Sequence, residues 1–295
     1  MRQSRFLHSL AAGLTFLLTT SAGNLAAVAG STPLNVVVSI LPQAFFVERI
    51  GGSQVKVEVL VGPGKSHHTY EPTPQQMVLI SKSDICFLIG VPFEKGLATR
   101  LAFTLPNLTL IQTQKGVPLK WIPESGGQGE ADPHIWLDPH LVQIQAENIY
   151  AGLVQKDPEH RDYFETNLKS FKADLEQVDS EIKKLLAPFS GSEIYVFHPA
   201  FGYFLERYGL KQCSIEVEGK EPGPRHLAEI ISRMKEHQVK VLFVQPQFSS
   251  KTAESIAAEV GSRVITIDPL APDYLANLRE MTHQIAEALS LRDPD

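Results

Sequence analysis

The chain has little cysteine, which limits the metal sites it can form. Only Cys86 and Cys213 occur among its 295 residues, and they lie in different halves of the sequence. A cysteine-based metal site usually needs a closely spaced pair of thiols, so we expect none here. Cys86 lies in the apolar run 85–89, and unpaired cysteine is among the most buried residue types. We therefore expect two buried free thiols, with a disulfide as the alternative.

The chain also lacks an excess of positive charge. Lysine and arginine total 27 against 33 aspartates and glutamates, which gives a formal net charge of −6. A nucleic-acid partner requires a basic surface, so this charge argues against one. An acidic surface is compatible with the collection of cations, although many proteins that bind no cation are also acidic.

No hydrophobic run is long enough to predict a helix that spans a membrane. The most N-terminal run, residues 6–20, falls short of the roughly 20 apolar residues that a bilayer requires. Arginines precede it and the small-residue sequence 27–29 follows it, which is typical of a cleavable signal peptide. We expect residues 1–29 to be this signal. Because no cysteine lies near the cleavage site, we expect a periplasmic protein without a lipid anchor.

Common catalytic motifs are absent as well. The sequence has no His-Glu-x-x-His, no Gly-x-Ser-x-Gly, and no cysteine and histidine with the character of a nucleophilic pair. Glu71 and Glu218 are candidates for a general base, but glutamates in loops are mostly solvated or structural. We therefore expect a binding protein and not an enzyme.

Strand patterns alternate with helical patterns along the rest of the chain. β-branched runs such as 35–40 and 55–61 indicate strands, and a helical pattern follows each. This alternation predicts an α/β fold in which mostly parallel sheets are flanked by helices. Residues 158–187 carry apolar side chains at three- and four-residue steps, which predicts one helix about 43 Å long. We expect it to be a rigid link between two lobes, residues 30–157 and 188–295.

Four residues can meet at one site in such a fold. His68, His198 and Asp268 come just after predicted strands, and His134 lies between two prolines. Ligands of open α/β sheets bind beyond the carboxyl ends of the strands. The four residues are 66, 64 and 70 positions apart, so each comes from a different structural unit. Three imidazoles and one carboxylate form a tetrahedral set that suits zinc.

A single loop histidine usually lies at the surface or forms an ordinary hydrogen bond, so only the set of four predicts a metal site. His67 is an alternative to His68, since the pattern of residues does not separate these neighbours. The remaining histidines lie in the expected signal or at predicted helices, where solvated positions are usual: His8, His140, His160, His226, His237 and His283.

The sequence around these residues resembles one family, the zinc/manganese substrate-binding proteins of ABC transporters. The resemblance extends over residues 34–289. Six segments carry it, with 132–139 the most specific: 64–74, 132–139, 198–203, 218–222, 244–248 and 267–270. In this family the first ligand histidine stands two residues before a tyrosine. Tyr70 therefore selects His68 over His67.

The resemblance implies two α/β lobes joined by one long helix, a metal ion in the cleft, and delivery of that ion to an inner-membrane ABC permease. It implies His68, His134, His198 and Asp268 as the metal ligands. We further expect a monomer. Two alternatives are a zinc-dependent hydrolase or lyase, which would need an open coordination position for water, and an adhesin on the same scaffold.

The identity of the metal depends on one position. Family members that carry manganese typically have a glutamate where this chain has His198. Nitrogen-rich sites suit zinc, whereas manganese favours carboxylates and water, so we expect Zn²⁺, with Mn²⁺ as the alternative. Many zinc-uptake members also have a long histidine-rich loop before the second ligand. Here the segment 122–131 is short and lacks histidine, so the expectation of zinc depends on His198.

Overall fold

The computed structural model describes residues 32–122, 130–216 and 223–291. Three expectations therefore fall wholly or partly outside the described residues. They concern the signal peptide, the 122–131 segment and the 218–222 segment, which includes Glu218. These expectations stay predictions.

A four-stranded parallel sheet forms the centre of the N-terminal lobe. Its strands are β1, Leu34–Ile40; β2, Val55–Val61; β3, Ile85–Leu88; and β4, Thr109–Gln112, in the order β2-β1-β3-β4. Val36 on β1 lies opposite Val57 on β2 and Ile85 on β3. Val36 and Val37 are consecutive in β1 and point to opposite faces of the sheet, and they belong to different buried clusters. Both faces of the sheet are therefore covered, which explains the continuous hydrophobic run in β1.

Four helices belong to this half of the chain: α1, Leu41–Gly51; α2, Pro74–Ser81; α3, Glu94–Thr104; and α4, Pro139–Lys156. The start of α2 is capped by its own side chains. The Thr73 side chain accepts a hydrogen bond from the Gln76 backbone N–H, and Pro74 occupies the first helical position. A short antiparallel pair, β5, Trp121–Ile122, and β6, Glu130–Ala131, precedes α4.

One long helix, α5, Arg161–Leu186, links the two lobes. A 3-10 turn, Pro158–His160, precedes it and a second, Ala187–Phe189, follows it, so the predicted continuous helix is confirmed in its 26 central residues. Its apolar stripe is buried: Phe164, Leu168, Phe171, Leu175, Val178, Ile182 and Leu186. The stripe provides the packing surface that a polar sequence of this length needs to be a stable helix.

The C-terminal lobe repeats the parallel α/β plan. Its strands are β7, Glu193–Val196; β8, Lys211–Ser214; β9, Val241–Val244; and β10, Arg263–Thr266, in the order β10-β9-β7-β8. Its helices are α6, Gly202–Arg207; α7, Pro224–Glu236; α8, Ser250–Val260; and α9, Tyr274–Ser290. The predicted fold class, two parallel α/β lobes joined by a long helix, is confirmed.

The structure also differs from the sequence-based expectations. Helix α3 and the β5–β6 pair were not predicted, and strand β8 ends at Ser214, three residues earlier than expected. Both cysteines are free, but only Cys86 is buried; Cys213 is half-buried, so the expectation of two buried thiols is wrong for it. Cys213 is less buried because it lies on β8, an edge strand of its sheet. Among the helices of the described residues, none has the length and apolar character needed to cross a bilayer.

Candidate metal centre

The loop after β2 brings two adjacent histidines to the site. Gly64 adopts a positive φ of 68°, which glycine accommodates without strain, and the chain turns there. Ser66 Oγ then accepts a hydrogen bond from the His68 backbone N–H at 3.2 Å. Beyond the histidines, the Tyr70 hydroxyl donates to the Leu60 carbonyl at 2.5 Å. This bond ties the loop back to β2 and fixes the path of the chain on both sides of the pair.

His134 is held by its own turn. Asp132 Oδ1 accepts hydrogen bonds from the His134 backbone N–H at 3.0 Å and from Nδ1 at 2.7 Å. Burial alone would raise the pKa of Asp132, but its contacts with His134 and the charge of Lys120 outweigh burial and lower that pKa. Asp132 thereby fixes the ring so that Nε2 is the nitrogen left for a ligand. His134 Nε2 is buried and has no hydrogen-bond partner among the described residues.

His198 directly follows the end of β7 and is fixed from three sides. The Gln245 amide accepts from the His198 backbone N–H at 3.2 Å and donates to its carbonyl at 2.8 Å. Glu216 Oε2 accepts a hydrogen bond from His198 Nδ1, and the ring of Phe248 stacks on the imidazole at 4.6 Å between centroids. Since Nδ1 is engaged, Nε2 is the nitrogen that can bind a metal ion.

The nitrogen atoms of these rings meet in the cleft. His68 Nε2 and His198 Nε2 are 3.0 Å apart, and the His134 ring centroid lies 5.5 Å and 5.3 Å from theirs. Two nitrogen ligands of a tetrahedral zinc ion are about 3.3 Å apart, given the usual zinc–nitrogen distance. Burial and the facing histidines hold the pKa of His68 at about 2, and burial also lowers the pKa of His198. The His68 ring is therefore neutral, as a metal ligand must be.

Asp268 lies at the same edge of the C-terminal sheet, after β10. Its Oδ1 accepts hydrogen bonds from Gln247 Nε2 at 2.7 Å and from the Leu270 backbone N–H at 2.9 Å. Trp136 Nε1 donates to the Pro269 carbonyl at 2.8 Å, which joins this segment to the His134 turn. Among the described residues, no hydrogen bond connects Asp268 to a histidine. The structure thus brings the three predicted histidines together, and Asp268 stands one residue before Pro269 in the segment that Trp136 joins to the His134 turn.

His67 is the residue that the choice of His68 left out. It is only 4% exposed, and one ligand nitrogen from each of His67, His68 and His134 lies within 4.8 Å of the other two. Both ring nitrogens of His67 are buried without a hydrogen-bond partner among the described residues. Glu71, which also follows this loop, is exposed.

Sequence reasoning missed the residues that orient the ligands. Asp132 and Glu216 are each about 5% exposed and each bind the Nδ1 of one histidine. Carboxylates in this position raise the basicity of a metal-binding histidine and fix its tautomer. The available signal was their placement, because Asp132 stands two residues before His134 and Glu216 two residues after β8.

The fold and the cleft together define a class: a two-lobed α/β binding protein with a nitrogen-rich site for a divalent metal ion. The sequence profile of the family described as zinc-uptake complex component A, periplasmic (ZnuA), matches residues 36–288, and the chain belongs to this family. This confirms the resemblance noted from the motifs.

Individual relatives agree in fold but differ in the metal they are named for. The chain is 29% identical over 273 residues to the high-affinity zinc uptake system protein ZnuA of Bacillus subtilis, covering 86% of this chain and 85% of that protein. It is 26% identical to the manganese ABC transporter substrate-binding lipoprotein PsaA of Streptococcus anginosus, covering 93% and 94%. A crystal structure of ZnuA matches with a TM-score of 0.82 and 40% identity, over 87% of this chain and 99% of that one.

Proposed function

We propose that this chain is an extracytoplasmic zinc-binding protein that delivers the ion to an ABC importer in the inner membrane. One observation carries the proposal: Nε2 atoms from both lobes meet in the cleft, with His68 and His198 3.0 Å apart. Residues on both sides of the linking helix thus face one small space. A single ion can hold the two lobes together and be released when they separate.

The proposed ligands are His68, His134, His198 and Asp268. The buried, unpartnered Nε2 of His134 fits this assignment, because a buried acceptor without a partner is costly and a metal ion would satisfy it. Asp268 would supply the one negative charge. A set of four protein ligands leaves no open position for a catalytic water, which favours a binding protein over a hydrolase.

Zinc is the cargo that this donor set favours. Imidazole nitrogen suits zinc, whereas manganese prefers carboxylates and water, and zinc stands well above manganese in the general affinity order of divalent metals. The family description and the Bacillus subtilis relative both name zinc uptake, which supports the same assignment. The manganese name of the Streptococcus anginosus relative makes Mn²⁺ the competitor to test.

The organisation that accompanies this function is part of the proposal. Residues 1–29 would direct export to the periplasm, residues 30–157 and 188–295 would form the lobes, and residues 158–187 would link them. The rigid helix limits how far the lobes can move. We propose that the protein acts as a monomer and meets its inner-membrane permease as the ion leaves the cleft.

A metal competition on the stripped chain without residues 1–29 tests the proposal. Zinc and manganese are titrated against each other by calorimetry, and we expect one equivalent of zinc to displace manganese almost completely. Comparable binding of manganese would reassign the cargo. Binding of neither ion would overturn the function.

A further inference from the structure

We propose that His67, His68 and His134 form a metal-capture site that belongs to the N-terminal lobe alone, with His67 as a metal ligand. This proposal rests on the proposed function, because the captured ion is the same divalent cargo. It adds a fifth protein ligand to the cleft and assigns His67 a role that the four-ligand set does not give it.

The geometry of the three rings supports a common site. Their ligand nitrogens lie within 4.8 Å of one another, and the ring centroids of His67 lie 4.1 Å from His68 and 5.2 Å from His134. A tetrahedral zinc ion requires nitrogen atoms about 3.3 Å apart, so a shift of about 1.5 Å closes the set. All three residues precede the linking helix α5. One lobe can therefore supply three ligands without help from the other.

The burial of His67 argues against a purely structural role. A histidine in a core normally forms a hydrogen bond with at least one ring nitrogen. His67 is 4% exposed, yet neither Nδ1 nor Nε2 has a hydrogen-bond partner among the described residues. Its ring packs edge-on against the buried Trp136 at 5.4 Å between centroids. The apolar wall thus places a free nitrogen beside His68 and His134, and a bound cation would satisfy it.

The remaining ligands approach from the other side of the cleft. His198 Nε2 lies 3.0 Å from His68 Nε2, so an ion on the N-terminal lobe is already within reach of the C-terminal lobe. The ion can pass from the three-histidine set to the set with His198 and Asp268 by a small shift within the cleft. Three imidazoles also exclude manganese at the first step, because manganese binds nitrogen weakly.

A background without the C-terminal ligands isolates the capture site. In the double variant His198→Ala, Asp268→Ala, we expect one equivalent of zinc to bind, more weakly than in the unmodified chain, when measured against a chromogenic chelator. Adding His67→Gln should weaken this binding by at least about tenfold, since even the loss of a residue that only orients a ligand costs about 10- to 100-fold. Adding His283→Gln instead should change nothing, since His283 is exposed on α9. An unchanged affinity with His67→Gln, or no zinc binding by the double variant, would overturn the capture site.

A spectroscopic test leaves His67 intact and so avoids any loss of folding from its substitution. The double variant, labelled with ¹⁵N-histidine, is loaded with ¹¹³Cd²⁺ as a substitute for zinc. We expect three rings, including His67, to show nitrogen–cadmium coupling. Coupling to His68 and His134 without His67 would overturn the proposal. If the unmodified chain binds zinc and His67 shows no coupling, only the capture site fails; if the unmodified chain binds no zinc, the proposed function fails.

Discussion

Among the described residues, the N-terminal lobe brings three imidazole rings together, whereas the C-terminal lobe brings one imidazole, His198, to meet them. On the N-terminal side, His67 has two buried nitrogens and His134 has one that lack a hydrogen-bond partner among the described residues. On the C-terminal side, a glutamine holds each proposed ligand: Gln245 binds the backbone of His198 and Gln247 binds the carboxylate of Asp268.

This difference shows how the two halves divide the work of binding. Buried nitrogens without partners gain most from a metal ion, so we expect the N-terminal side to supply most of the affinity. The C-terminal ligands are already oriented by amides, and they lose little conformational freedom when they join the ion. We expect them to complete the coordination and to add to the preference for zinc. Each half can be weakened separately.

The largest effect should follow from His134→Ala. This change removes a ligand from the N-terminal half and should weaken zinc binding by about 100-fold or more, since even residues that only orient a ligand cost 10- to 100-fold. Calorimetric titration with a competing chelator measures it. The metal-free protein should stay folded, because one buried cluster runs through both lobes and the linking helix, and each lobe has a further cluster of its own. Loss of the hydrogen bond between the imidazole and Asp132 should cost about 1–3 kcal/mol.

The control for this prediction is His140→Ala. His140 is exposed at the start of α4, six residues from His134, and should leave zinc affinity unchanged. A loss of less than tenfold for His134→Ala would contradict the view that the N-terminal histidines supply most of the affinity. Global unfolding of the metal-free variant would contradict a fold that is stabilised by these buried clusters without the metal ion.

A smaller effect should follow from loss of the orienting carboxylates. Glu216→Gln removes the anionic partner of His198, the C-terminal imidazole at the site, and we expect zinc binding about 10- to 100-fold weaker. Asp132→Asn should cost less, because two other histidines remain on the N-terminal side. Equilibrium competition at fixed pH compares the two variants. The reverse order would show that the C-terminal half depends less on preorientation than its contacts indicate.

Much of this architecture could be predicted from the sequence. The β-branched runs and the long amphipathic stripe of α5 are local patterns, and they identified both lobes and the link. His68 and His198 were predicted to meet because both follow strand ends, where ligands of parallel sheets bind, and His134 was added because two prolines fix its position. Helix α3 was missed because only Leu97, Leu101 and Glu94 are buried in it, which leaves no wide apolar face.

Other features of the fold and of the site depend on contacts between distant residues, which a sequence pattern does not contain. Glu94 at the start of α3 is buried and accepts hydrogen bonds from the Ile89 and Gly90 backbone N–H groups at 3.0 and 2.6 Å. Nothing in its sequence neighbourhood distinguishes it from a solvated helix residue. The pattern of residues also does not distinguish His67 from His68. Their different burial follows from the path of the loop, which the hydrogen bond from the Tyr70 hydroxyl to the Leu60 carbonyl fixes.

A change of selectivity should follow from His198→Glu. Replacing the C-terminal imidazole by a carboxylate makes the site richer in oxygen, and the ratio of zinc to manganese affinity should fall by about tenfold or more. Parallel titrations with both ions measure the ratio. His283 is exposed on α9, so His283→Glu adds the same charge away from the cleft and should leave the ratio unchanged. An unchanged ratio in both variants would remove His198 from the control of selectivity.

The smallest effect concerns the ion pairs between each lobe and the linking helix. Asp174 on α5 pairs with Arg49 of the N-terminal lobe. Asp179 on α5 accepts two hydrogen bonds from Arg207 of the C-terminal lobe, at 2.6 and 2.7 Å, and one from Tyr208 at 2.8 Å. Asp179→Asn should lower the free energy of unfolding by about 1 kcal/mol at pH 7, the upper range for a partly exposed pair with good geometry.

The pH dependence of this contact follows from the pKa of Asp179. Burial alone would raise that pKa, but the hydrogen bonds from Arg207 and Tyr208 outweigh it and lower the pKa below 3.8. The stabilisation is therefore present above about pH 4 and lost as the pH falls through the folded-state pKa. Thermal melts of both proteins from pH 7 to pH 2 should converge at the acid end. A difference in melting temperature that stays constant with pH would show that the charge of the Asp179 carboxylate does not stabilise this contact.

The most direct test of the central claim, that one ion is held between the two lobes, is a crystal structure of the zinc-loaded chain with anomalous diffraction at the zinc edge. We predict a single strong anomalous peak within about 2.0–2.2 Å of ligand atoms from both lobes, including His134 and His198. A peak coordinated by neither of these residues, or by residues of the C-terminal lobe alone, would contradict the account.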